Sequence, residues 1–295
     1  MASDATRFAA PGGFSYEEAR QFIEFCVDLD DQDDRQAATA GPEDSPQIDP
    51  ERWEKIYDSR HALALDYFTY RARPAGAGAA ASAQHHSLPD DDVGFWDKVF
   101  RRIEKQAKRR GVTLKDVPSL EGDPALNGFG PSQNAWTLYE GLGPNAGRYA
   151  IAIRGTVFKD EPNVVENGLF QPVEGHDFLY QGVTFAEDSN ATVHSGFAHA
   201  TFSLLLDRRY GILPVISSGR TRVPAGSILY IVGHSQGAAM ATLVHAFLFN
   251  AMRAADASNT DPFGLKRMDY RLKSYDFAQP KPGNYAFSAE FASYT

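Results

Sequence analysis

Two glycines four residues apart, Gly233 and Gly237, bracket His234, Ser235 and Gln236. A serine in that frame suits nucleophilic attack on an acyl carbon when a strand enters the turn and a helix leaves it. Both conditions can be read from the flanking residues. Ile228, Leu229, Ile231 and Val232 form a short apolar run with β-branched members, as in a strand buried on both faces of a parallel sheet. Ala238 to Arg253 are good helix formers, with apolar Leu243, Ala246, Phe247 and Met252 among them. A Cβ at either glycine would press on the neighbouring strand or helix, while the serine is forced to the tip of the turn with Oγ exposed. Ser235 also stands at a helix N-terminus, where unpaired N–H groups and the helix dipole favour developing negative charge. The N–H of Gln236 is therefore a natural half of an oxyanion hole.

The elements that must position this turn are read from the chain's beginning. Ser15-Tyr-Glu-Glu18 has the form of a capping box and is followed by Ala19, Phe22, Ile23, Cys26 and Val27 at helical spacing, which predicts a helix from Ser15. Asp28, Asp30, Asp31, Asp33 and Asp34 lack the central glycine and closing glutamate of a calcium loop and read as a solvated acidic turn. Asp49-Pro50-Glu51 predicts the start of a second helix, with Trp53, Ile56, Tyr57, Ala64, Tyr67 and Phe68 on its apolar side. Residues 74–87, rich in Ala, Gly and Ser, predict a mobile loop; His85 and His86 within it have no partner ligands at metal-binding spacing. Phe95, Trp96, Val99, Phe100 and Ile103 line one side of a basic helix running from Lys98 to Arg110 and stopped by Gly111. Residues 1–125 thus read as a helical N-terminal extension.

From residue 126 onward the pattern becomes α/β. Trp136 to Glu140 and Arg148 to Arg154 flank a glycine-rich loop and predict an antiparallel hairpin entering the sheet. Its second strand ends in Ile153-Arg-Gly-Thr156, where a backbone N–H and the Thr156 hydroxyl can face a pocket at the carboxyl edge of the sheet. Length and composition agree with a full core: 295 residues, 43% of them hydrophobic. A net charge of −9 argues against nucleic acid as the main partner, and one cysteine, Cys26, excludes an internal disulfide. No apolar run reads as a bilayer span and no secretory signal opens the chain, which predicts a cytoplasmic protein or one exported by a route without an N-terminal signal peptide.

Four ordered segments resemble the class 3 lipases, the fungal-type triacylglycerol lipase group. They are Ile151-Ala-Ile-Arg-Gly-Thr156, Val193-His-Ser-Gly-Phe197, Tyr230-Ile-Val-Gly-His-Ser-Gln-Gly237 and Tyr275-Asp-Phe-Ala-Gln-Pro-Lys-Pro-Gly-Asn284. The resemblance implies an α/β-hydrolase core with a mostly parallel sheet over 126–295. It implies Ser235 as nucleophile, the N–H groups of Thr156 and Gln236 as oxyanion hole, and a lid after Thr156; His194 and Arg154 would be structural. The implied activity is lipid ester hydrolysis at a lipid–water interface, without metal or cofactor. The alternatives are a phospholipase of the same fold and a non-catalytic module that binds a lipid or a protein.

The chain departs from the family in three places. Residues 157–192 form an enlarged insert with dispersed aromatic and acidic residues, expected to cover Ser235 and move aside at a lipid surface. Asp276 and Ala278 stand where the family usually has threonine, or a similar residue, and glycine, and read as tolerated variation on a strand. The triad acid and histidine have no counterpart in the α/β-hydrolase order. His245 should point away on the helix leaving the elbow, His176, His194 and His199 precede the serine, and Asp261, Asp269 and Asp276 lie on a polar loop or in a strand. Phe287 to Tyr294 reads as the opening of an unfinished helix. The expectation is a core incomplete at its C-terminus, its Asp and His supplied beyond Thr295 or by a second chain.

Overall fold

The computed structural model describes residues 7–34, 48–59, 134–155, 172–176, 178, 183–206, 211–217, 219–257 and 268–295. The elements in chain order are α1 (Tyr16–Asp34), β1 (Trp53–Asp58), β2 (Trp136–Gly141), β3 (Arg148–Ile153), β4 (Pro172–Glu174), β5 (Thr192–His194), α2 (Ser195–Leu206), α3 (Ile212–Ile216), β6 (Ile228–His234), α4 (Gln236–Ala257), β7 (Arg271–Phe277) and α5 (Tyr285–Ala292). One five-stranded sheet has the order β1-β2-β3-β6-β7, and β4 and β5 form a small ladder of their own. The predicted hairpin is present: β2 and β3 pair antiparallel from Trp136↔Ile153 to Glu140↔Tyr149. From β3 onward the sheet is parallel, Ile153 lying opposite Gly233 and Gly233 opposite Asp276.

Alternation along these strands divides the apolar side chains between two faces. Ala150, Ala152, Tyr230, Val232 and Tyr275 face α1, where they meet Phe22, Phe25 and Trp53. Ile151, Ile153, Leu229, Ile231 and Leu272 face the other way, toward α4 and α2. Because α4 is enclosed there, its 22 residues are apolar enough to cross a membrane by length and composition, contrary to the expectation that no run would be. Most of them are buried inside the protein.

Helix α1 starts where predicted, but its cap is only half a capping box. Ser15 Oγ accepts from the Glu18 amide at 3.3 Å, whereas the Ser15 amide donates to Tyr275 Oη at 3.1 Å. The Glu18 carboxylate is thereby free for the sheet, accepting from Tyr275 Oη at 2.6 Å, Lys273 Nζ at 2.7 Å and Tyr230 Oη at 2.8 Å. Asp28 is a correction to the solvated acidic turn: it lies within α1, is buried, and accepts from Tyr139 Oη at 2.9 Å and from Lys55.

The helix expected from Asp49 is also corrected, since Trp53–Asp58 is the edge strand β1. Asp49 makes a turn instead, its Oδ1 accepting from the Glu51 amide at 2.9 Å and its carbonyl from Trp53. The spacing of Trp53 and Tyr57 misled because β1 contains a bulge between Lys55 and Tyr57. One extra residue sends Trp53 to the α1 face and Tyr57 to the opposite face, so an i, i+4 pair that reads as one helical stripe serves two cores. The expected loop at 74–87 and the basic helix at 98–110 lie outside the described residues.

The segment read as an unfinished helix is α5, capped at its start by Asn284, whose side chain accepts from the Phe287 amide. The chain turns after it, and the Tyr294 ring stacks on Phe249 of α4 with centroids 3.7 Å apart. Glu290 of α5 accepts from the amides of Glu187 and Asp188, fastening the described end of the 157–192 insert.

Candidate active site

The turn at Ser235 is built by a collision that only glycine avoids. A Cβ on Gly233 would lie 2.3 Å from the carbonyl of Gly237, and one on Gly237 would lie 2.3 Å from the Ile153 carbonyl oxygen and 2.6 Å from that of Arg154. The start of α4 is therefore pressed against both the end of β6 and the end of β3. Ser235 takes up the bend with φ +53, a left-handed conformation that side chains other than glycine seldom adopt. Its amide donates to the Phe277 carbonyl at 2.9 Å, and its own carbonyl accepts from Ala238 at 3.0 Å, opening the helix. Each β6 residue from Leu229 to Gly233 is buried while His234 and Ser235 are partly exposed, so the chain reaches solvent at the elbow.

Gln236 follows as the first residue of α4, almost fully buried. The contact between Gly237 and the end of β3 brings Arg154 and Gly155 alongside the elbow. The structure thus joins two motifs that lie about 80 residues apart in the sequence; Thr156 itself lies outside the described residues. The other two motifs also meet. Val193 bridges Gly283, the His194 amide donates to Pro282 at 2.8 Å, and Asn284 exchanges hydrogen bonds with Thr192 and Asn190.

His194, His199 and His245 are engaged away from Ser235 and His176 is exposed, and Ser235 Oγ is hydrogen-bonded to no histidine or acid among the described residues. His194 stacks on Phe197 and accepts its amide at 3.3 Å. His199 lies edge-on to Phe178, and burial holds its pKa below the ordinary value. His245 lies on α4 with Nδ1 2.5 Å from Ser274 Oγ, and burial pushes its pKa down to about 3, so it stays neutral. Among the acids weighed for the triad, Asp261 lies outside the described residues and Asp269 is exposed and ion-paired with Arg7 at 3.1 Å.

Two residues passed over as strand variation have distinct roles in this region. Ala278 adopts φ +50, which explains the glycine usual there in the family. Asp276 faces α4: its Oδ2 lies 3.0 Å from Thr242 Oγ1, and Gln279 reaches the same hydroxyl. The signal for Asp276 was its place two residues from Ser274 and four from Leu272, which sets all three on the helix-facing side.

A model of the class 3 lipases, described as Lipase (class 3), matches residues 150–295. No curated protein matches the chain significantly. A fungal lipase solved with an inhibitor, as a model for interfacial activation, shares 15% identity with a TM-score of 0.35 over 69% of this chain and 66% of that one. The M37 lipase shares 15% identity with a TM-score of 0.38 over 69% of this chain and 63% of that one. The triacylglyceride lipase of Rhizomucor miehei shares 16% identity with a TM-score of 0.34 over 70% and 68%. The chain therefore spans less than two thirds of the length of the first two. With the mixed sheet, the strand–elbow–helix and the family match, the fold is that of an α/β-hydrolase. The family match lends no support to the expected second chain or continuation past Thr295.

Proposed function

We propose, from the premise that residues 150–295 belong to the class 3 lipase family, that the chain hydrolyses carboxylic esters of lipids through an acyl-enzyme on Ser235. The observation that carries the reading is the left-handed serine at φ +53 between β6 and α4, held by two glycines that admit no Cβ. Such strain persists where the surrounding structure over-determines it, and here it aims a hydroxyl out of a buried sheet.

In this reading Ser235 Oγ attacks the acyl carbonyl carbon and gives up its proton to a general base. The developing oxyanion takes hydrogen bonds from the amides of Gln236 and Thr156, and the proton then passes to the departing alcohol. Water attacks the acyl-enzyme in the second half of the cycle and restores the serine. The burial of Gln236 supports its part, because a donor removed from water stabilises charge more strongly than an exposed one. An acyl chain needs a site that excludes water, and the 157–192 insert is the segment to which this reading gives that role.

The test is labelling of the purified chain with a fluorophosphonate, followed by mapping of the modified residue and by p-nitrophenyl ester hydrolysis. Ser235 is expected to carry the label. Ser235→Ala is expected to lower ester hydrolysis by about a thousandfold or more with an unchanged melting temperature. A folded Ser235→Ala protein that hydrolyses esters at the original rate would overturn the proposal.

A further inference from the structure

A carboxyl beside the elbow has no part in the chemistry above. Asp276 is the last but one residue of β7, opposite Gly233, and the next residue, Phe277, accepts the Ser235 amide at 2.9 Å. As a whole residue Asp276 is partly exposed, yet its Oδ1 is buried with no hydrogen-bond partner among the described residues. Its Oδ2 lies 3.0 Å from Thr242 Oγ1, that hydroxyl lies 3.2 Å from the Ala238 carbonyl oxygen, and Gln279 Nε2 reaches the hydroxyl and, at a longer 3.4 Å, the same carbonyl.

Counting protons favours one way of holding this group. Thr242 has one hydroxyl proton and two lone pairs. Ala238 O and an ionised Asp276 would compete for the single proton, and Gln279 would fill only one lone pair. A neutral Asp276 removes the conflict: its own O–H donates to Thr242, Gln279 takes the other lone pair, and the Thr242 proton goes to Ala238 O. Ala238 is also the residue whose amide binds the Ser235 carbonyl. The hydrogen bonds then run unbroken from Asp276 through Thr242 and Ala238 to Ser235.

We propose that Asp276 is a positioning residue whose neutral carboxyl holds the first turns of α4 to the end of β7 and so fixes the Ser235 hydroxyl. The proposal rests on Ser235 being the nucleophile. Ionisation of Asp276 draws the Thr242 proton away from Ala238, leaves a buried charge short of donors, and loosens the start of the helix. Among the described residues no charged group faces it to compensate. From α4 the nearest titratable group is His245, bonded to Ser274 and neutral; on β7, Lys273 and Tyr275 point to the opposite face; on β6, Gly233 stands across from it, followed by His234. Burial accordingly raises the Asp276 pKa to about 7, with the Thr242 hydrogen bond opposing it only in part.

The experiment compares fluorophosphonate labelling rates of the wild type, Asp276→Asn and Asp276→Thr from pH 6 to pH 8.5. Asn keeps a donor to Thr242 at every pH, and Thr does so with a hydroxyl, which keeps the test open if one variant folds poorly. The rate of the wild type relative to either variant should fall about thirtyfold over this range, as the neutral fraction of a group near pKa 7 does. A change below about threefold overturns the proposal. Hydrogen exchange of the peptide spanning residues 236–242 needs no chemistry at Ser235 and separates the two failures. Faster exchange above pH 7 in the wild type alone, with no labelling at any pH, overturns Ser235 as nucleophile while upholding the hold on α4. Exchange that responds to pH equally in wild type and variants overturns the role of Asp276.

Discussion

Tyr275 and Asp276 are neighbours in β7, yet they belong to two differently built faces of one sheet. On the α1 face a carboxylate from the helix, Glu18, is met by three donors from the strands, Tyr230, Lys273 and Tyr275, with Arg148 at 3.5 Å. Burial alone would raise the Glu18 pKa, but these hydrogen bonds outweigh it and hold the value below the ordinary one. On the α4 face a carboxyl from the strand, Asp276, meets one hydroxyl, and burial raises its pKa to about 7. The contrast teaches that burial alone does not set the charge of a carboxyl; the number of donors aimed at it does. The α1 face works as a charged clamp. The α4 face, which carries the elbow, depends on close backbone packing and a neutral acid.

The largest effect is expected where that packing is tightest. Gly237→Ala places a methyl group against the backbone of Ile153 and Arg154, atoms that cannot rotate aside, and should cost about 4 kcal/mol or more, or prevent folding. Urea unfolding measures this, and a loss below about 1 kcal/mol would show that the elbow is looser than its glycines imply.

Next comes the neutral acid. The Asp276 pKa is raised on folding from an ordinary 3.8 to about 7, so its stability contribution is fully present below pH 4 and is lost as pH rises toward 7. The whole shift corresponds to a ceiling of about 4 kcal/mol. Asp276→Asn should therefore match the wild type near pH 4 and exceed it by roughly 3 kcal/mol at pH 8. Parallel stability–pH curves for the two proteins would break the comparison between the faces.

The clamp should respond with the opposite sign. The Glu18 pKa is lowered on folding, so its contribution is present above the ordinary glutamate value and disappears as pH falls through the folded one. Glu18→Gln is expected to cost about 1 to 2 kcal/mol at neutral pH, a small figure because solvent reaches the carboxylate, and nothing at pH 2. Thermal unfolding across pH would show it, and a cost that does not change with pH would assign Glu18 to packing alone.

The smallest change is Ala278→Gly. It relieves a left-handed alanine but loosens the unfolded chain, and a net gain below about 1 kcal/mol is expected. Any destabilisation beyond about 0.5 kcal/mol would mean that the alanine methyl makes contacts worth more than its strain.

The elements legible in the sequence are those whose causes lie within a few residues. A buried β-branched run, two glycines and a helix-forming stretch determined the elbow at Ser235, because the clashes that require glycine arise within one turn of chain. The hairpin at Trp136 to Ile153 was legible for the same reason, and so was the start of α1 at Ser15. What tertiary structure decided depends on partners far away in the chain. Asp28 became a buried acceptor because Tyr139, 111 residues on, donates to it. Trp53–Asp58 became a strand because β2 offers it an edge, and one bulge hides its alternation. The Asp276 carboxyl is held well above the usual carboxylate range because it is buried against α4 with a single threonine hydroxyl to meet it. Propensity and periodicity act over a turn or two. The charge state of a buried group depends on every dipole folded around it, and those are brought together only when the sheet closes against its helices.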